Sequence, residues 1–124
     1  VAECMRQSRC LLLPSRIASD GDAEGGPVVV LEAQLSGLPV VSTRHAGIPE
    51  VVLDGTTGLL VEEGDVAGFG QALALMCRDP QRAKQLGSAG RARVMSHFTV
   101  DHHVKTVADV LSGVVSRHQQ PADR

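Results

Sequence analysis

Apolar positions in this chain come in short, closed runs separated by glycine, proline and carboxylates. Cys10 to Leu13 is one such run, stopped by Pro14, and its unbroken apolarity predicts a strand over 10–13 buried on both faces. Residues 1–8 ahead of it read as helix. Residues 15–26, SRIASDGDAEGG, are small, polar and glycine-rich, which predicts a loop. The next segment, PVVVLEAQLS over 27–36, is ambiguous by propensity. Its three valines favour a strand, whereas Pro27 suits the first position of a helix and Gly37 its end. We read it as a helix and place a strand over 39–43, so packing must override the valines. A loop over 44–47, a short helix over 49–53 closed by Asp54-Gly55, and a strand over 58–61 follow. Asp65 is placed to cap a helix running to about residue 78. Asp79 and Pro80 supply the cap and first residue of a helix to about residue 96. Thr99 caps a last helix to about residue 115. Residues 116–124 are expected to be a frayed tail.

Strands alternating with helices imply an α/β fold, a parallel sheet with helices on its faces. Three strands amount to half of a doubly wound, Rossmann-like sheet, here followed by C-terminal helices, and residues 1–115 are expected to form that partial domain. The 10–13 strand lacks its usual neighbour on one side. An open apolar edge invites pairing with another copy, so a homo-oligomer is expected.

Composition narrows the function classes. The chain has 124 residues, enough for one domain with a real core. A net charge of −2 and an aromatic content of 2% leave neither a basic footprint nor stacking platforms for nucleic acid. The three cysteines, Cys4, Cys10 and Cys77, form no CxxC pair. That pattern fits a reducing, cytoplasmic setting and argues against structural zinc. No apolar run approaches a membrane span, and no signal-peptide pattern is present. Val1 falls within what reads as a helix, so upstream sequence is expected to be missing.

The most specific feature is EGGPVVVLE, which sets Glu24 and Glu32 eight positions apart, one in the glycine-rich loop and one inside the following helix. Gly25 and Gly26 let backbone amides approach a ligand closely. The helix start at Gly26 and Pro27 offers unpaired N–H groups and partial positive charge to a diphosphate. A carboxylate at Glu24 can accept from sugar hydroxyls. One at Glu32, a turn and a half deeper, can hold a ribose diol with its two oxygens.

The run LLLPSRIASDGDAEGGPVVVLEAQLSGLPVVSTRHAGIPEVVLDGTTGLLVEEGD resembles the C-terminal, donor-binding domain of retaining glycosyltransferases of family 4, of the two-Rossmann-domain (GT-B) type. The blocks that carry the resemblance are LPS after a strand, E-x7-E, EA followed by GLPVV, then GIPEVV-DG-TGLLV and a GD cap. It extends over about residues 3–112, and exopolysaccharide-type members look most similar. The resemblance implies hexosyl transfer from a nucleotide diphosphate sugar to a glycan or lipid-linked acceptor, with no obligatory cofactor or metal. It implies that Glu24, the catalytic candidate, contacts the donor sugar, that Gly25, Gly26 and Pro27 line the diphosphate, and that Glu32 binds the ribose. The family commonly has an aromatic residue or leucine where Gly26 stands. Its Arg/Lys pair for the diphosphate and its acceptor domain would lie upstream of Val1. Any peripheral membrane association would run through that domain.

Other polar residues carry two readings each. His45, in a loop after a strand end, either approaches the donor or is a plain loop histidine. Glu50 either contacts the donor or braces the neighbouring loop, with bracing preferred. Asp20-Gly21-Asp22 spells a metal-binding D-x-D but reads better as a polar loop. His102 and His103 are adjacent on a helix and cannot share one metal. The cysteines read as packed rather than reactive. For the chain as a whole, a donor-binding enzyme part stands against a non-catalytic module that binds nucleotide or associates with itself.

Overall fold

The structure, a computed structural model, describes residues 2–17 and 27–118. Helix α1 (Ala2–Gln7) leads into strand β1 (Leu11–Leu13). Then come α2 (Pro27–Leu35), β2 (Val40–Thr43), α3 (Ile48–Val51), β3 (Gly58–Val61) and three further helices, α4 (Val66–Arg78), α5 (Pro80–His97) and α6 (Val100–His118). The strands form one parallel sheet in the order β1-β2-β3, in a register that sets Leu12 beside Val41 and Val41 beside Leu59. This is the α/β arrangement expected from the alternation of elements.

The sheet separates two apolar layers by strand periodicity. Val40 and Leu60 point to one face, where Val30 and Ala33 of α2, Ile48 and Val51 of α3 and Met5 of α1 close over them. Val41 points to the other face, with Leu59 and Val61 beside it, against Ala72 and Met76 of α4 and Ala83 and Leu86 of α5. Val40 and Val41 are fully buried, which contributes on the order of 1.5–3 kcal/mol each. Such a central strand needs apolar side chains at successive positions, which explains the unbroken runs in the sequence.

The helix over 27–36 forms despite its valines because α2 ends in a complete left-handed stop. Gly37 has φ 75°, its N–H donates to Gln34 O at 2.9 Å, and Leu38 N donates to Ala33 O at 2.9 Å. This pair of bonds is the Schellman arrangement, and it requires a residue that tolerates positive φ. The three expected caps are also present. Gly68 N donates to Asp65 Oδ1 at 2.8 Å, Arg82 N to Asp79 Oδ1 at 2.9 Å and His102 N to Thr99 Oγ1 at 3.2 Å.

Four expectations need correction. Strand β1 is not buried on both faces: Leu12 is 41% exposed, because α4 lies over β2 and β3 and the edge strand is left partly uncovered. Helix α3 ends at Val51, two residues early, since Val52 is already extended at φ −101° and ψ 119°. Helix α6 runs on to His118 and takes in the first residues of the expected tail. Cys4 and Cys77 are exposed rather than packed, each on an outward helical face, and Cys10 alone is partly buried.

Candidate functional site

All three strands point the same way, so β1, β2 and β3 deliver their carboxyl ends to one edge of the sheet. In open α/β sheets that edge is where ligands bind. Helix α2 starts there at Pro27, and its first-turn amides have no partner within the helix. Glu32 lies a turn and a half along α2, exposed, and no partner engages its carboxylate among the described residues. Glu24, Gly25 and Gly26 lie outside the described residues, as do Asp20 and Asp22.

The segment leaving β1 is stitched to this edge at every second residue. Ser42 Oγ donates to Leu13 O at 2.8 Å. Thr43 Oγ1 donates to Ser15 O. Ile17 N donates to Glu63 Oε2 at 3.1 Å. The hydroxyl residues Ser42 and Thr43 are buried, so these bonds satisfy groups that would otherwise cost free energy.

Glu63 has a second partner. Its Oε1 lies 2.7 Å from His45 Nδ1. Since an ionised carboxylate only accepts, His45 carries its proton on Nδ1 and donates. His45 is 1% exposed, and its Nε2 is buried with no partner among the described residues. The bond from His45 and then the one from Ile17 N hold the Glu63 carboxyl below its ordinary range. Ala46, next to His45, adopts φ 46° without being glycine, so the β2–α3 turn carries backbone strain beside this pair.

His45 is thus a buried, anchored residue rather than a free loop histidine. Glu50 is exposed on α3, and the bracing there is done by its backbone: Arg93 Nη2 donates to Glu50 O at 3.0 Å. Arg44 meets Asp54 at 2.6 Å and Glu62 at 3.0 Å, surface pairs that contribute well under about 1 kcal/mol each. A cavity of about 450 Å³ opens at the same edge, lined by Pro14, Ser15, Arg16, Thr43, Val66 and Phe69 among others. It lies on the α4 face of the sheet, across from Glu32 on α2. His102 and His103 are exposed on α6. Sequence reasoning missed Glu63. Its only signal was a second acidic residue directly after a strand, which read as part of the lead-in to the Asp65 cap.

The architecture and edge can now be set beside known proteins. The family described as glycosyl transferases group 1 matches residues 1–79. The chain belongs to the group 1 glycosyltransferases. Among curated members of this family, it is 38% identical over 100 residues to the amylovoran biosynthesis glycosyltransferase AmsK of Erwinia amylovora, covering 81% of this chain and 25% of that protein. It is 39% identical over 102 residues to a GDP-mannose-dependent alpha-(1-6)-phosphatidylinositol monomannoside mannosyltransferase of Mycolicibacterium smegmatis, covering 82% of this chain and 27% of that one. The structure also resembles Anabaena HepE solved in complex with UDP-glucose. The TM-score is 0.71 at 26% identity, over 90% of this chain and 29% of HepE. This group 1 glycosyltransferase chain therefore spans about a quarter of the length of the relatives it matches. Its sheet and helices have the GT-B-like fold of those neighbours. No helix among the described residues is long and apolar enough to cross a membrane.

Proposed function

We propose that this chain is the donor-binding part of a retaining glycosyltransferase that moves a hexosyl group from a nucleotide diphosphate sugar to a glycan or lipid-linked acceptor. The observation that carries the reading is α2: it starts with Pro27 at the carboxyl edge and presents Glu32, exposed and without a partner among the described residues, a turn and a half along. The donor's diphosphate would sit on the α2 amides with Gly25, Gly26 and Pro27. Glu32 would accept from the ribose hydroxyls, and Glu24 from the hydroxyls of the departing sugar. As the bond to the sugar breaks, negative charge grows on the diphosphate, and the positive end of α2 stabilises it where it develops. The scheme requires no cofactor or metal. The UDP-glucose complex of HepE and the GDP-mannose dependence in the name of the mycobacterial relative support a nucleotide-sugar donor. The amylovoran relative supports an exopolysaccharide-type acceptor. The acceptor domain would belong to the remaining length of the protein, and transfer would need it. The three free cysteines support a reducing, cytoplasmic setting.

The test is an amide-shift titration with UDP-glucose, GDP-mannose and ADP-glucose, on the unmodified chain and on Glu32→Ala. One donor should shift residues of α2, and the variant should bind it at least about tenfold more weakly, the loss of one or two charge-assisted hydrogen bonds. Equal affinity in the variant would remove Glu32 from the ribose.

A second reading, a module that associates with itself, draws on the uncovered β1 edge and on the exposed valines of α6.

A further inference from the structure

We infer that the amino edge of the sheet carries a binding site of its own, a cavity in which Arg9 and Lys84 hold the phosphate of a small phosphate monoester. The strands are parallel, so their amino ends meet at the edge opposite the start of α2. A cavity of about 260 Å³ opens there. Its floor is apolar: Leu38 and Pro39 lead into β2, Met76 comes from α4 and Ala83 from α5. All four are buried. Its rim carries two cations from separate stretches of chain, Arg9 from the turn ahead of β1 and Lys84 from α5, both exposed. None of these residues belongs to the donor site proposed above, so the two sites stand or fall separately.

The charge of this cavity runs against that of the chain. The whole chain has a net charge of −2, yet no Asp or Glu is among the described residues that line the cavity. Other cations are engaged: Arg6 meets Glu3, Arg44 meets Asp54 and Glu62, and Arg82 and Arg93 donate to backbone carbonyls. The side chains of Arg9 and Lys84 have no partner among the described residues. Two like charges on one small cavity repel each other, and an anion between them relieves the repulsion. A phosphate monoester suits this better than a monoanion, because it carries close to two negative charges at neutral pH. The guanidinium fork can donate to two of its oxygens and the ammonium to the third. The buried floor can then take a compact apolar substituent. A recessed floor of this size fits a small molecule rather than a membrane surface.

The experiment titrates phenyl phosphate, inorganic phosphate and, at matched ionic strength, sodium chloride into the unmodified chain, and follows amide shifts. The same titrations are run on Arg9→Gln, Lys84→Gln and Arg91→Gln. Arg91 is an exposed cation of α5 that does not line the cavity. Phenyl phosphate should shift the amides of Leu38, Ala83 and Lys84 saturably, with a Kd of about 1 mM or tighter. Inorganic phosphate should bind at the same place but several-fold more weakly, since it leaves the apolar floor unused. Arg9→Gln and Lys84→Gln should each weaken binding about fivefold, the effect of losing one exposed charge pair. Arg91→Gln should stay within about twofold of the unmodified chain. Arg9→Gln and Lys84→Gln change exposed side chains without partners, so the fold should persist, which unchanged shifts elsewhere would verify. Absence of saturable shifts with phenyl phosphate overturns the proposal, as does sodium chloride reproducing them. An equal loss in Arg91→Gln reduces the effect to overall charge and overturns the site. Equal affinity for the two phosphates overturns the monoester.

Discussion

Glu63 shows how one side chain can carry an acid-sensitive contact. Its carboxyl is held below the ordinary value of 4.5, first by the hydrogen bond from His45 and then by the backbone bond from Ile17. A carboxyl lowered in the folded state contributes stability that is fully present above its unfolded pKa. That contribution is lost as pH falls through the lowered folded value. The window therefore opens near pH 4.5 and extends downward. Urea unfolding of the unmodified chain at a series of pH values should show an acid limb that steepens below this point. Glu63→Gln has no proton to take up at this position, so its acid limb should be shallower. Parallel limbs would mean that the pair does not stabilise the fold. This residue was not legible in the sequence, because Ile17 and His45 reach it only through the closure of the sheet, across 46 and 18 positions. Glu32, by contrast, was legible as a candidate, because its spacing from Glu24 and its place inside a helix are local properties.

At the scale of elements, local chemistry carried most of the information. Asp65, Asp79 and Thr99 each accept from the backbone N–H three positions on, and a cap of this kind depends on nothing distant. The stop at Gly37 is local in the same way. What local chemistry did not reveal is how closely α5 approaches α2. A Cβ built at Gly87 of α5 would lie 2.1 Å from Gly37 O and 3.2 Å from Pro39 Cδ, so the absence of a side chain at 87 sets the distance between the helices. Both obstacles are backbone or ring atoms and cannot swing aside. Gly87→Ala should therefore destabilise the fold by about 1–3 kcal/mol, the range for overpacking a close contact, read as a lower urea midpoint. Gly70 of α4 serves as the control, since a Cβ there meets nothing within 4 Å. Gly70→Ala should raise stability by about 0.5–1 kcal/mol through helix propensity alone. If both variants moved the midpoint in the same direction, the close approach of α5 would not matter energetically. Leu12 makes the complementary point. Its apolar character predicted burial, but burial depends on which elements cover a strand, and an edge strand's second neighbour is not written in the strand itself.

At the scale of the whole molecule, two surfaces are apolar and exposed among the described residues, and they lead to one prediction. The first is the free side of β1, with Leu12 41% exposed. The second is α6, where Val100, Val104, Val107 and Leu111 recur at alternating four- and three-residue steps and are 78, 59, 43 and 59 per cent exposed in turn. That spacing makes a continuous stripe along one side of a helix, the pattern that packs against another helix. If these surfaces drive self-association of this chain in water, light scattering at low concentration should report a dimer or larger species. The two contributions can be separated. Val107→Glu with Leu111→Glu places charge in the α6 stripe and leaves the sheet untouched. If the stripe drives association, the double variant should scatter as a monomer. If it still scatters as the oligomer, the contact runs through β1, which has no second strand beside it among the described residues. A monomer in the unmodified chain would show that neither surface is sticky enough to overcome the entropy of association. Sequence reasoning placed this helix from its Thr99 cap alone, and the exposure of the stripe follows only from the placement of α6 beyond the two packed layers.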